Sequence, residues 1–168
     1  SSPGRASLGH LVAELVQRST GTQMNHIPYK GSAPAIIDVL SGAVPITFDL
    51  AATYYQHARA GRVRALAVST ARRFSQLPDV PTVAESGVPG FHATGWFGAA
   101  GPTGIPADAV SKMNRAANEY LTSAEGIARL CDQAVTPAGG SPQDFGKFVR
   151  AEIAKWRPVV EPLATSID

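Results

Sequence analysis

The sequence predicts an α/β fold built from parallel βαβ units, and three observations carry that prediction. Short runs rich in apolar and β-branched residues alternate with stretches of three-and-four apolar spacing, the signatures of strands and amphipathic helices. The helical stretches are long enough to serve as crossovers between parallel strands, and such crossovers are right-handed. Gly21, Gly42 and Gly61 stand where successive helices should stop.

Taken in order, Ser7 is the candidate N-cap of a first helix in which Leu8, Leu11, Val12, Leu15 and Val16 share one face. Residues 24–28 read as a strand, and 29–32 (Tyr-Lys-Gly-Ser) as a loop. A helix over 33–40 follows, with Ile36, Ile37 and Leu40 as its buried stripe. Then come a strand over 44–48, a helix over 50–60 and a third strand over 62–69. Prolines and glycines punctuate 77–90 and leave room for one short helix at 82–86. An extended, aromatic-rich segment covers 93–100, and Pro106 is suited to the first position of a helix reaching Thr122. Ser123 caps a further helix to Leu130, and Val135 opens a short strand. Ser141, Pro142 and Asp144 have the pattern of a last helix start, with Asp144 at the positive end of the dipole. Pro158 should kink or end that helix. No internal repeat or low-complexity tract is found.

Composition excludes several classes. The 168 residues fit one domain, or one and part of a second, able to bury roughly 70% of the unfolded surface. With 17% charged and 44% hydrophobic residues, a solvated disordered chain is ruled out. Eleven Arg and four Lys are scattered, so no basic patch points to nucleic acid. The single cysteine, Cys131, permits no intrachain disulfide and reads as a small core residue. No apolar run reaches the ~20 residues that span a bilayer, and no signal peptide heads the chain.

Three loops could carry chemistry. Residues 2–7 (Ser-Pro-Gly-Arg-Ala-Ser) lead into a helix start, where unpaired amides and the dipole suit an anion and Arg5 and Ser7 add donors. The same serine is equally an ordinary cap. Tyr29, Lys30 and Gly31 stand at a strand end, where open α/β sheets bind ligands, or form a plain solvated turn. Asp49, at the next strand end, could face the same crevice or cap the helix behind it. Convergence of the three loops is worth more than any one of them.

Catalysis has thinner support. Ser7, His10 and Asp49 are the residue types of a hydrolase triad, but no G-x-S-x-G surrounds the serine. His10, His26, His57 and His92 lack the H-x-x-x-H spacing of a metal site, so neither metal nor cofactor is expected. Trp96, Phe97 and Trp156 suit core or hinge packing better than base stacking. A small α/β hydrolase or transferase using the same loops is the alternative to a binding module.

The chain resembles the substrate-binding receptors of tripartite tricarboxylate transporters, also called Bug-type receptors. The residues that carry this are S-P-G-R-A-S-L-G-H-L (2–11), H-I-P-Y-K-G-S-A-P-A (26–35), F-D (48–49) and V-R-A-L-A-V (63–68). L-P-D-V-P-T-V-A-E-S-G-V-P-G-F (77–91), G-W-F-G-A-A-G-P-T-G-I-P (95–106) and F-V-R-A-E-I-A-K-W (148–156) continue it to the chain's end. The resemblance implies a type II periplasmic-binding-protein-like receptor, not an enzyme, that closes on a small organic carboxylate and delivers it to membrane permease subunits. It implies ligand contacts from Gly4, Arg5, Ala6, Ser7, His10, Tyr29, Lys30, Gly31 and Asp49, and a periplasmic location. Residues 1–91 would be lobe two with its interlobe connection, the strand over 62–69 and the segment 95–99 being the two connections. Residues 92–168 would be the crossover and C-terminal helices of lobe one.

Two positions depart from the family pattern. Ala6 replaces a glycine, which should narrow the loop's backbone. Leu50 replaces an asparagine, which should make the distal end more apolar. Family members are longer, so this chain is expected to be a fragment impaired in binding. Val110, Met113, Leu121 and Ile127 would then expose an apolar face and drive self-association.

Overall fold

The computed structural model describes residues 1–164. Ser7 is extended, and its hydroxyl accepts the His10 N–H at 3.3 Å, which starts α1 (Leu8–Thr20). Gly21, left-handed at φ 69°, closes that helix. Gly31, at φ 107°, precedes α2 (Ser32–Leu40), and α3 (Ala51–Arg59) follows Leu50. Later come α4 (Ala107–Thr122), α5 (Ala124–Asp132) and α6 (Pro142–Ala164). Ser123 caps α5 by accepting the Gly126 N–H at 3.0 Å.

The expected strands are extended chain, and among the described residues their pairing is reduced to isolated parallel bridges, Ser2 with Pro28 and Val68 with Thr82. Residues 1–3 lie between 27–31 and 46–48. Ser2 donates to Ile27 O at 3.3 Å, Tyr29 to Ser2 O at 3.1 Å and Gly31 to Pro3 O at 2.7 Å. On the other side the Ser1 amino group donates to Ile46 O at 2.6 Å, and Phe48 donates to Ser1 O at 3.0 Å. The middle segment supplies three residues, too few for long ladders. Its alternating bonds are nevertheless those of a parallel sheet. Val135 starts no strand; its N–H turns back to Leu130 O at 2.9 Å.

Other expectations need correction. Residues 82–86 form a turn, not a helix, closed by Thr82 and Glu85. The Thr82 N–H donates to Glu85 Oε2 at 2.7 Å, and the Glu85 N–H to Thr82 Oγ1 at 3.0 Å. Arg73 Nε donates to both Glu85 oxygens at 3.1 and 3.0 Å, so the carboxylate is spent on the loop rather than on a helix dipole. Pro106 lies just outside α4 as its N-cap. α6 runs through Pro158 and Pro162, so Pro158 does not end it. On α2 the buried residue is Ala35, while Ile37 is exposed.

Two compact units divide the chain, Ser1–Gly95 with residues from Pro158 on, and Trp96–Arg157. The first buries Val12, Ala13, Ala35, Val44, Tyr55, Phe91, Ala93 and Val159. In the second, Gly126 alone is buried. There Trp96 meets Phe145 and Phe148 edge-on, at 5.6 and 5.4 Å between ring centroids. The Asn118 amide accepts from Gly140 N at 2.8 Å and donates to Gly140 O at 3.0 Å. Phe97, expected in core or hinge packing, is 79% exposed and so lies in no core of this unit.

One residue fixes how α1 sits on the sheet edge. A Cβ at Gly9 would lie inside the Phe48 carbonyl, and close to the Pro3 ring as well. Backbone on one side and a rigid proline ring on the other leave little that can yield. Gly9→Ala should therefore lower the unfolding free energy by about 3 kcal/mol, the upper part of the usual overpacking range, read as a shift in urea midpoint. An unchanged midpoint would mean α1 does not rest on residue 48.

Candidate functional site

The sheet edge gathers the three loops. Because 27–31 and 46–48 flank residues 1–3 in parallel, all three segments end on the same side, and 4–7, 29–32 and 49–50 leave from there. Gly4 runs so close to the Tyr29 carbonyl that a Cβ would stand 3.3 Å from it.

Loop 4–7 is braced from within. Ser7 donates to Gly4 O through its N–H at 3.3 Å and its hydroxyl at 2.7 Å. Ser2, wholly buried, donates to Gly4 O at 2.9 Å and meets His26 Nε2 at 2.7 Å. Ala6 takes the left-handed backbone expected of the family's glycine, at φ 58°. That conformation costs an alanine about 1 kcal/mol. It is held because the Ala6 N–H donates to His10 Nδ1 at 3.0 Å. The alanine thus carries strain that a glycine at this φ would not.

The named residues differ in what they present. Arg5 is exposed, and its charge is felt by both His10 and His26. Lys30 is exposed on its loop, and Tyr29 is held by a hydroxyl bond to Asp38 Oδ2 at 2.5 Å. His10 is buried behind the loop rather than open to it, with Nδ1 on Ala6 and Nε2 3.7 Å from Glu14. The N–H groups of Leu8 and Gly9, first in α1, lie ahead of the helix's own acceptors.

Asp49 does not cap α3, whose N-cap is Leu50 without a side-chain bond. Its Oδ1 accepts the Leu50 N–H at 2.7 Å, while Oδ2 is buried without a hydrogen-bond partner. Burial pushes the Asp49 carboxyl above its usual range, against the pull of the Ser32 hydroxyl and the Leu50 amide. Nearby, burial likewise raises Tyr54, against the pull of the Thr47 hydroxyl. Leu50 packs with Leu8 where a Gly95 side chain would otherwise stand. Sequence reasoning placed Ser2 and His26 within motifs but gave neither a role, and it missed Tyr54; the roles of Ser2 and His26 come from their contacts.

A parallel sheet edge from which three turns and a helix start emerge is the place where open α/β folds hold ligands. The chain belongs to the tripartite tricarboxylate transporter receptor family, whose pattern it matches over residues 1–164. It is 38% identical to the protein BugT of Bordetella pertussis over 154 residues, 92% of this chain and 47% of BugT. The structure of Rpa4515 from R. palustris with adipate superposes with a TM-score of 0.86 at 41% identity, covering 92% of this chain and 52% of that one. MatC of Rhodopseudomonas palustris with bound malate gives a TM-score of 0.78 at 29% identity, over 92% and 54%. The α/β class read from the sequence is the fold of these proteins. The chain spans about half the length of each of these relatives.

Asp49 makes stability depend on pH. A carboxyl whose folded pKa is raised binds protons more readily folded than unfolded, so stability falls as pH rises from about 4 through the raised value. Asp49→Asn keeps an acceptor for Leu50 and removes the buried charge. The variant should melt above the parent at pH 7, with the gap closing below about pH 4. A gap that persists or widens in acid would contradict the buried charge.

Proposed function

We propose that the chain is the carboxylate-binding part of an extracytoplasmic solute receptor that serves a tripartite tricarboxylate-type permease. The observation that carries this is the meeting of loops 4–7, 29–31 and 49 at one sheet edge, beside the N-terminus of α1. Helix-start amides would receive the carboxylate, joined by the Ser7 hydroxyl once it turns its proton from Gly4 O to the ligand, with the Gly4, Ala6 and Gly31 turns setting its approach and Tyr29 and Lys30 beside it. Asp49 would face the distal end, where an ionised acid would be disfavoured and a donor group welcome. Arg5 would add long-range attraction for an anion. The adipate and malate held by the relatives above support a small organic acid as the class. On this reading residues 1–91 are lobe two with its connection, 92–168 belong to lobe one, and the protein works in the periplasm.

Calorimetry with a panel of dicarboxylates, tricarboxylates, aromatic acids and acidic amino acids tests it. Saturable heat without turnover is expected, and Ser7→Ala should weaken it about tenfold by removing a bond to a charged group. Ser123→Ala, which removes the equivalent cap from α5, should cost stability and leave affinity alone. Consumption of any of these acids would instead favour the hydrolase or transferase reading.

The second unit bears on the state of the chain in solution. Met113 is 62% exposed, with Ile127, Tyr120, Phe148 and Ile153 also outside any core, while Val110 and Leu121 are half-buried. Apolar side chains spread over three helices with so little buried beneath them favour association with a second copy. Light scattering should give a mass above one chain that rises with concentration. A monomer across the whole range would refute this.

A further inference from the structure

His10 and His26 lie 16 residues apart in sequence, one on α1 and the other in the extended segment before Pro28. Their rings stack with centroids 3.9 Å apart and planes 6° from parallel. The stack sits directly behind loop 4–7 and touches it twice. An amide N–H can only donate, so the 3.0 Å bond from Ala6 N requires an unprotonated His10 Nδ1, with the ring proton on Nε2 toward Glu14. His26 Nε2 lies 2.7 Å from the hydroxyl of Ser2, the same hydroxyl that donates to Gly4 O and accepts from Gly4 N at 3.3 Å. One imidazole therefore holds the strained end of the loop and the other its beginning.

We propose that His10 and His26 are positioning residues for the binding loop, the neutral stack clamping residues 2–7 in the shape that receives a carboxylate. This rests on the carboxylate-receptor reading above. A proton on His10 Nδ1 removes the acceptor for the Ala6 N–H, and Ala6 then has no reason to stay at φ 58°. Once either stacked imidazole is charged the other resists a proton, because the two charges would lie 3.9 Å apart. The charged groups facing the stack are Glu14 on α1, which favours protonation, and Arg5 of the loop and the Ser1 amino group, which oppose it. Burial opposes it most and holds both rings below the usual histidine range. The clamp is thus set at neutral pH and released in acid, below the ordinary histidine midpoint of about 6.5.

The test follows the Ala6 amide and the His10 ring by NMR from pH 8 to 5, with adipate and malate titrations by calorimetry at both ends. The Ala6 resonance should move with the His10 midpoint, and its exchange protection should fall about tenfold as the bond is lost. Acid affinity should drop in parallel. His10→Asn offers an oxygen at the Nδ1 position that does not titrate, so protection and affinity should stay nearly flat with pH. His10→Ala should lose both at every pH. His26→Gln, with a donor at the Nε2 position, should retain loop order that His26→Ala loses. An Ala6 amide indifferent to the His10 titration overturns the clamp, as does affinity equally pH-dependent in parent and His10→Asn. Coupled titration of Ala6 and His10 with no heat from any acid would uphold the clamp and sink the receptor reading.

Discussion

Five backbone hydrogen bonds to three residues organise the first unit. Residues 1–3 are bonded on both sides, to 27–31 and to 46–48, and the loops of the candidate site start from that pairing. Parallel pairing sends all three segments out at the same edge, so the turns that follow must lie near one another. Gly9 then lets α1 descend onto the Phe48 carbonyl without a side chain between them, which brings the positive end of the helix to the same edge. Shift the middle segment by one residue and the Ser2 side chain would turn to the opposite face, away from His26 and Gly4.

The two units have opposite energetic characters. The first encloses apolar residues from helices, extended segments and the last turns of α6. The second relies on local devices, the Ser123 cap, the Asn118 amide paired with Gly140 and the Trp96 aromatic cluster. Such contacts order a backbone but remove little apolar surface from water, and hydrophobic burial is what offsets conformational entropy. Helices of this kind gain their stability from whatever covers their apolar faces.

Much of the helical frame was legible because caps and stops are local. Ser7, Gly21, Ser123 and Ser141 all lie at helix ends as their types and spacing indicate, within a residue or two of the expected bounds. Strand extent was not legible, since pairing depends on partners far along the chain and not on the apolar run itself. The turn at 82–86 shows the same limit. Thr and Glu three apart resemble a capping box, and they do bond reciprocally, but Arg73 draws the glutamate into a loop that no helix follows. That the loops at 4–7, 29–31 and 49 leave from one edge could be read from type and position. The groups beneath them could not, because Ser2 and His26 become neighbours only after residues 1–3 enter the sheet.

Ala6 ties these levels together. Local preference argues against an alanine at φ 58°, and the strain is tolerated because a tertiary contact, the His10 ring, captures the very N–H that this conformation exposes. The same bond removes the Ala6 amide from those available to an anion, so the loop gives up one donor to fix its shape. What remains for a ligand is the start of α1, beside a Ser7 hydroxyl whose proton Gly4 O holds until a stronger acceptor takes it. A violation of local rules placed on a buried, titratable support is how a fold keeps a binding turn preorganised, and it makes the support as important as the surface it holds.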